Sequence, residues 1–399
     1  MTAVPAAMRV LHVGKFYPPV PGGIESALAE LAQAQSSIGM DVAALVHAAP
    51  GVRTSGSRSD GRVAIREAGC WGQWLYAPVS PAFPYELTRL IREFRPDVLH
   101  LHVPNTSAFF ALMLPAARRV PWVVHWHADI PLDGGSLGLR LAYPLYRPWE
   151  TALLRRARAI IATSPPYRDA SAPLAPWRDK TRVIPLGLAE GEATPSPRDP
   201  SPSWPRDHLR LLAVGRLSHY KGLEVLVGAL RHLPKAALVI IGAGEREAAL
   251  RAQIRALGLA HRVTLAGRVD DATLRQAYAD AEIFCLPSLD RAEAFGMVLL
   301  EAMRAGLPTV ASAIAGSGVG YVVEDGATGF LVPPGDEHAL AAAIGRFDDD
   351  PTLRHRFGDA GRERWRAHFT PDRAAQASAD LYRQVLDPTS GRAATAPPE

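Results

Sequence analysis

The chain has 399 residues, too many for one ordinary domain, so two domains are the natural expectation. Its 44 basic and 40 acidic residues leave a formal charge of +4, which excludes a dedicated nucleic-acid binder. With 48% hydrophobic and 21% charged residues it is an ordinary globular composition, and no window approaches about eighteen uninterrupted apolar residues, so no membrane span is expected.

The N-terminus lacks a basic segment followed by a long apolar run, and two distant cysteines, Cys70 and Cys285, fit a reduced chain. A cytoplasmic location is the expectation. Lysine is scarce: only Lys15, Lys180, Lys221 and Lys235 occur, so a lysine inside a motif carries information.

In chain order the elements alternate between strand and helix, the pattern of a parallel α/β architecture. Arg9–His12 is a strand, Gly23 to about Ser37 a helix, Val42–Val46 a second strand and Val63–Arg66 a third. Pro84–Phe94 is helical and Val98–Leu101 extended, another helix precedes the strand Trp122–His125, and Ala159–Ala162 is a further strand. Between 191 and 208 the chain holds Pro195, Pro197, Pro200, Pro202 and Pro205, an extended linker. Alternation then restarts with strand Leu209–Val214, helix Gly222–Leu233, strand Leu238–Ile241, helix Arg246–Leu257, strand Val263–Leu265 and helix Ala272–Ala279. Ile283–Pro287 reads as a buried strand ended by proline, followed by a helix from about Ala294 to Ala305. The segmentation is therefore 1–190, linker 191–208, 209–370, a C-terminal helix 371–388 and a disordered tail 389–399.

Ligands of open parallel sheets sit beyond the carboxyl ends of the strands, and several unusual residues fall there. The loop from Gly14 to Gly22-Gly23-Ile24-Glu25 ends in paired glycines at a helix start, which lets backbone N–H groups approach an anion or forms a plain turn and cap. Gly215-Arg216-Leu-Ser-His-Tyr-Lys221-Gly222 places two cations around a loop that opens a helix, a geometry suited to a diphosphate. It lacks the Gly-Lys-Ser/Thr of a Walker loop, and Ile241-Gly242-Ala-Gly244 has Glu247 where a dinucleotide fingerprint needs its third glycine. Glu293 and Glu301 stand eight positions apart, just over two helical turns, so they can share a face toward a ligand rich in hydroxyls or stand as two solvated acids. His100/His102 and His125/His127, with Asp129 close behind, put alternate histidines on one strand face. That pattern suits a metal, a polar cleft or ordinary packing.

Taken together, the Gly22-Gly23-Ile24-Glu25 loop, Val123-Val-His-Trp-His127-Ala-Asp129-Ile130, Arg216 to Lys221-Gly222, Glu293-Ala-Phe295-Gly296 with Glu301-Ala-Met303, and Glu324 to Asp336 stand in one characteristic order. In that order and spacing the chain resembles the retaining family-4 glycosyltransferases over nearly its whole length. The resemblance implies an α/β fold of two Rossmann-like domains facing across a cleft, the GT-B fold, with acceptor bound by the first domain and nucleotide sugar by the second. It further implies that Arg216 and Lys221 hold the donor diphosphate, with Gly22 and Gly23 approaching from the first domain, and that no metal or other cofactor is needed. Glu293, Phe295, Gly296 and Glu301 would meet the donor sugar and ribose, His127 and Glu293 the reaction centre, and Glu25 and Asp129 the acceptor side. The final helix would return to the N-terminal domain.

His-Ala-Asp-Ile and Ala315-Gly-Ser-Gly-Val-Gly320 are similar to bacterial polysaccharide enzymes that use GDP-mannose or related donors, although Pro131-Leu-Asp-Gly-Gly135 departs from their usual Val-Arg-Gln continuation. The implied activity is a hexosyl transfer to a lipid-linked saccharide. Alternatives within the resemblance are a nucleotide-sugar 2-epimerase and a non-catalytic nucleotide-sugar binder. Arg140, Arg147, Arg155, Arg156 and Arg158, interleaved with Tyr143, Tyr146 and Trp149, read either as a solvated helix face over core aromatics or as a peripheral contact with the inner membrane face.

Overall fold

The computed structural model describes residues 7–75, 77–132, 137–191 and 204–387. Most of the expected linker, residues 133–136 and the expected disordered tail 389–399 lie outside the described residues. The chain divides into two compact units: the residues up to Ala189 with those from Thr370 onward, and Glu190–Phe369.

In the first unit the strands are β1 (Arg9–Val13), β2 (Asp41–His47), β3 (Gly56–Asp60), β4 (Val63–Ala68), β5 (Gly72–Trp74), β6 (Ala77–Val79), β7 (Val98–Val103), β8 (Trp122–Trp126), β9 (Ala159–Ala162) and β10 (Thr181–Val183). Eight of them form one sheet in the order β10-β9-β8-β7-β1-β2-β4-β3, while β5 and β6 pair as a separate hairpin. Every neighbouring pair in the large sheet is parallel except β3–β4. The helices are α1 (Gly23–Ser37), α2 (Phe83–Phe94), α3 (Phe110–Met113), α4 (Pro115–Arg118), α5 (Leu137–Arg156) and α6 (Pro165–Ala170).

The second unit carries β11 (Leu209–Val214), β12 (Ala236–Ile241), β13 (Val263–Gly267), β14 (Ile283–Leu286), β15 (Thr309–Ser312) and β16 (Gly329–Val332), all parallel in the order β13-β12-β11-β14-β15-β16. Its helices are α7 (Leu223–Ala229), α8 (Glu247–Ala256), α9 (Asp271–Asp280), α10 (Met297–Ala305), α11 (Val319–Val322), α12 (Glu337–Asp349) and α13 (Pro351–His368). Asp270, Asp336 and Asp350 cap α9, α12 and α13 by accepting N–H groups of Thr273, Ala339 and Leu353, each cap contributing about 1 kcal/mol. The last helix, α14 (Pro371–Leu386), packs on α1 in the first unit, burying Ala374, Ala375, Ala379 and Tyr382 beside Leu28, Leu31 and Ala32.

Four expectations need correction. The single helix expected before β8 is a 3-10 turn at Thr106–Phe109 followed by the short α3 and α4, because Pro115 forces Leu114 into extended backbone. The helix expected from Ala294 starts at Met297, since Gly296 sits at φ 83 and cannot continue a right-handed turn. Residues 204–208 of the expected linker lie in the second unit, where the Trp204 indole donates to the Leu211 carbonyl at 2.9 Å. Strand β3 and the hairpin β5–β6 were not foreseen: Gly-Ser-Arg-Ser-Asp has no apolar alternation, because it is a largely exposed edge.

Candidate functional site

Among the parallel strands the order reverses between β1 and β7 in the first unit and between β11 and β14 in the second. The crevice beyond such a switch point is where this class of sheet binds ligands. In the second unit the segment after β11 runs through a 3-10 turn at His219–Lys221 to Gly222, and the segment after β14 runs through Ser288 to Glu293. The Leu289 amide donates to the Tyr220 carbonyl at 2.7 Å and joins the two segments. Gly222 lies at φ 61, and a Cβ there would come within 2.1 Å of the Pro287 carbonyl oxygen, so only glycine lets the lysine loop press against the end of β14.

That contact delivers Lys221 to Glu293. Lys221 Nζ lies 2.5 Å from Glu293 Oε2, Ser288 Oγ donates to the same oxygen at 2.9 Å, and both ionised side chains are about nine-tenths buried. Ser317 Oγ donates to the Glu293 carbonyl, which holds the backbone of the acid in place. Burial works against the ammonium, but the Glu293 carboxylate and Tyr220 outweigh it and raise the Lys221 pKa above its ordinary value. Arg216 is exposed at the loop entrance, its guanidinium 5.9 Å from the centre of the Tyr220 ring.

Glu301, on the body of α10, has a buried Oε2 with no hydrogen-bond partner in the protein. Burial raises its pKa, opposed by a hydrogen bond with Tyr278 and by the charges of Arg304 and Lys221, which places Glu301 in the same electrostatic neighbourhood as the lysine. Phe295 is buried edge-on against Phe369, so its side chain is core and only its backbone can meet a ligand. Gly296 forms the left-handed cap of α10.

In the first unit Gly22 and Gly23 open α1. A Cβ on Gly22 would stand 2.1 Å from Glu25 Oε2, so the Glu25 carboxylate folds over the very backbone expected to approach a phosphate. Burial raises the Glu25 pKa, opposed by its own backbone amide and by Lys15. Asp129 is a bracing residue at the end of β8: its Oδ1 accepts from the Trp126 indole at 2.8 Å and from Ser171 Oγ at 2.6 Å, and its amide donates to the Tyr167 hydroxyl.

The two His-x-His pairs are joined by His12, which is in register with His100 across β1 and β7, as His102 is with His125 across β7 and β8. All five rings, His127 included, are buried. An ion bound by imidazoles must lie in the plane of each ring. The His102, His125 and His127 planes are 12° to 26° from parallel, with centroids 4.1 to 5.3 Å apart, and one ring nitrogen from each lies within 4.8 Å of the others, as holds also for His12, His100 and His102. Three of the ring pairs also lie within hydrogen-bond distance: His12 with His102, His100 with His125, and His102 with His127.

Ser288, Ser317, Tyr220, His12, Gln35 and Tyr382 were not singled out in the sequence. Ser288 and His12 could have been found by position alone, since each lies at or just past the carboxyl end of a strand beside a switch point. Tyr220 and Ser317 stand inside motifs already noted, Gly215 to Gly222 and Ala315 to Gly320, while Gln35 and Tyr382 carry no local signal.

Residues 199–364 match the glycosyl transferases group 1 family and residues 22–187 the glycosyl transferase 4-like domain. The chain is 33% identical over 376 residues to the D-rhamnosyltransferase WbpZ of Pseudomonas aeruginosa, covering 91% of this chain and 92% of that protein. It is 29% identical over 392 residues to the O-antigen chain mannosyltransferase C of Escherichia coli, covering 96% and 100%. Its fold is similar to that of sucrose-phosphate synthase from Thermosynechococcus elongatus, with a TM-score of 0.74 and 23% identity over 95% of this chain and 99% of that one. The parallel sheets, the clustered cations and acids at their switch points and these likenesses agree: the chain belongs to the group 1, family-4-like glycosyltransferases, with the two Rossmann-like domains of the GT-B fold.

Proposed function

We propose that this glycosyltransferase moves a hexose from a nucleoside diphosphate donor of the GDP-mannose type to a lipid-linked saccharide in cell-surface polysaccharide assembly, with retention of anomeric configuration and without a metal. The observation that carries the reading is the buried Lys221–Glu293 pair at the switch point of the second unit. A diphosphate offers Lys221 a stronger anion than one carboxylate, and Arg216 adds a second fixed charge for the leaving group. As the ammonium turns to phosphate, Glu293 Oε2 becomes free to accept sugar hydroxyls and to steady positive charge at the anomeric carbon. Glu301 takes the ribose hydroxyls.

From the first unit, Gly22 and Gly23 contribute backbone N–H groups once Glu25 turns aside, and His127 meets the donor sugar. The names of the O-antigen mannosyltransferase and the rhamnosyltransferase support the donor class. Among the described residues no helix is long and apolar enough to cross a membrane. A lipid-linked acceptor is supported by α5, where Leu141, Leu145 and Trp149 are exposed at four-residue spacing beside Arg140 and Arg147.

The test is a thermal-shift screen of GDP-mannose, UDP-glucose, UDP-N-acetylglucosamine and the free diphosphates, with and without chelator, followed by mass spectrometry of the products. A ligand at a hundredfold excess over its dissociation constant stabilises the fold by about 2.7 kcal/mol. A chelator-insensitive shift with guanine nucleotides and a hexose added to an acceptor lipid is the expected result. A shift abolished by chelator would overturn the metal-free diphosphate site, and an epimer formed from donor alone would mark 2-epimerase chemistry.

A further inference from the structure

Burial pushes His12 down to about 4 and His127 to about 3, and holds His100, His102 and His125 well below the ordinary imidazole range, so each ring carries one proton at neutral pH. Which nitrogen holds that proton is decided by the partners. His127 Nε2 lies 2.8 Å from His102 Nδ1, His102 Nε2 lies 2.9 Å from His12 Nδ1, and His12 Nε2 lies 2.8 Å from Gln35 Oε1. The same amide continues the chain: Gln35 Nε2 donates to the Tyr382 hydroxyl at 2.9 Å, that hydroxyl lies 2.5 Å from His100 Nδ1, and His100 Nε2 lies 3.2 Å from His125 Nδ1.

Every ring-to-ring contact joins an Nδ1 to an Nε2, so the protons can all point one way. An amide oxygen only accepts, so His12 must carry its proton on Nε2. Its Nδ1 is then bare and requires Nε2–H on His102, which in turn requires Nε2–H on His127. On the other branch Tyr382 donates to His100 Nδ1, and His100 donates onward to His125. All five rings thereby take the Nε2–H form that neutral imidazole intrinsically favours, whereas a reversed amide would force Nδ1–H on all of them. The chain has two ends, the bare His127 Nδ1 and the His125 Nε2–H, both buried and without a protein partner. Each aligned hydrogen bond polarises the next, by roughly 10–30% per bond, which strengthens that terminal lone pair as an acceptor.

We propose that Gln35 is a positioning residue that holds His127 in the Nε2–H tautomer, so that the bare Nδ1 accepts a hydrogen bond from a hydroxyl of the donor sugar and turns away a phosphate oxygen. The second half rests on the assignment of His127 to the donor sugar; the first half stands without it. Gln35 lies on α1 and is fixed in turn by Tyr382 of α14, so both helices covering the histidine face take part.

The experiment is nitrogen-15 NMR of the full chain labelled at histidine, with the His127 signals assigned by their loss in His127→Asn. The expected wild-type spectrum shows His127 protonated at Nε2 and bare at Nδ1. In Gln35→Met, which fills similar space but offers no acceptor, His127 moves to a mixture of tautomers. In Tyr382→Phe the amide oxygen still faces His12, so His127 keeps its tautomer while His100 and His125 change. A proton on His127 Nδ1 in the wild type overturns the proposal even if no variant folds, and so does an unchanged His127 in Gln35→Met or an equal loss in both variants. GDP-mannose, but not GDP, is expected to shift the Nδ1 resonance. The stated tautomer with no response to either ligand keeps the role of Gln35 and overturns the donor-sugar assignment.

Discussion

Lys221 is 8% exposed and its ammonium faces a single carboxylate, so neither residue of the pair can be changed alone without stranding the other. Lys221→Met leaves Glu293 with only the Ser288 hydroxyl, and Glu293→Gln leaves a buried ammonium beside an amide; each is expected to cost about 3 kcal/mol of stability. The double variant removes both charges and should be less destabilised than the sum by at least about 1 kcal/mol, read by urea denaturation. Hexosyl transfer should be lost in all three. Strictly additive stabilities would contradict the buried pair, and near-normal turnover in the double variant would contradict its place in the chemistry. Both residues were legible in the sequence, Lys221 because lysine is scarce and Glu293 because of its motif. Their contact was not, since a pairing across 72 positions leaves no local periodicity. His12 was missed for a related reason: it stands alone on β1, and only strand order brings it beside His100.

Helix α5 shows how far an element can be read from its pattern. The arginine and aromatic spacing predicted a mixed face, and the structure divides it. Tyr143 turns inward and donates to the buried Glu150 at 3.0 Å, Arg156 lies over the Trp122 ring and donates to the Arg118 carbonyl, and Leu141, Leu145 and Trp149 are left outward. Vesicle binding is therefore better probed at the leucines than at Arg156. Leu141→Asp with Leu145→Asp should lower affinity for vesicles rich in anionic lipid several-fold without lowering the melting temperature, and unchanged sedimentation with vesicles would remove the membrane reading. Glu150 supplies an independent pH test. Burial, opposed by the Tyr143 hydrogen bond, reinforced by the charge of Asp129 and opposed by Arg147, lifts its pKa from 4.5 to about 7. The folded chain thus holds a proton that the unfolded chain releases above pH 4.5, so this residue's contribution falls as pH rises from there to about 7 and is flat beyond. Glu150→Gln keeps an acceptor for Tyr143 and removes the dependence. Its gain in stability should be near zero at about pH 4 and reach up to about 3 kcal/mol near pH 8, measured by denaturation at both. An equal gain at the two pH values would sink the assignment.

At the scale of the molecule, the strand and helix alternation made both sheets legible, because a parallel strand buried on two faces reads as an apolar run between turn residues. The alternation alone could not show how unequal the two units are in chain continuity; the return of the last helix to the first unit was an expectation only of the family resemblance. The second unit is one stretch, Glu190–Phe369, with its own sheet and its own core from Leu209 to Phe357. The first is assembled from both ends of the sequence. Its helix α1 is covered by α14, which buries Ala374, Ala375, Ala379, Leu381 and Tyr382 and closes the hydrogen bonds of Gln35 and His100. Ending the chain at Phe369 would uncover α1 and strand Gln35 Nε2 in the interior, a loss of more than about 5 kcal/mol to that unit. Calorimetry of the truncated chain should show the transition of the second unit near its original temperature and that of the first lowered or absent. The fragment 204–369 alone should unfold cooperatively, and a separate peptide of residues 370–387 should restore the lost transition at sufficient concentration, because binding only to the folded unit stabilises it by mass action. Two unchanged transitions in the truncated chain would mean that α14 is dispensable to the first unit.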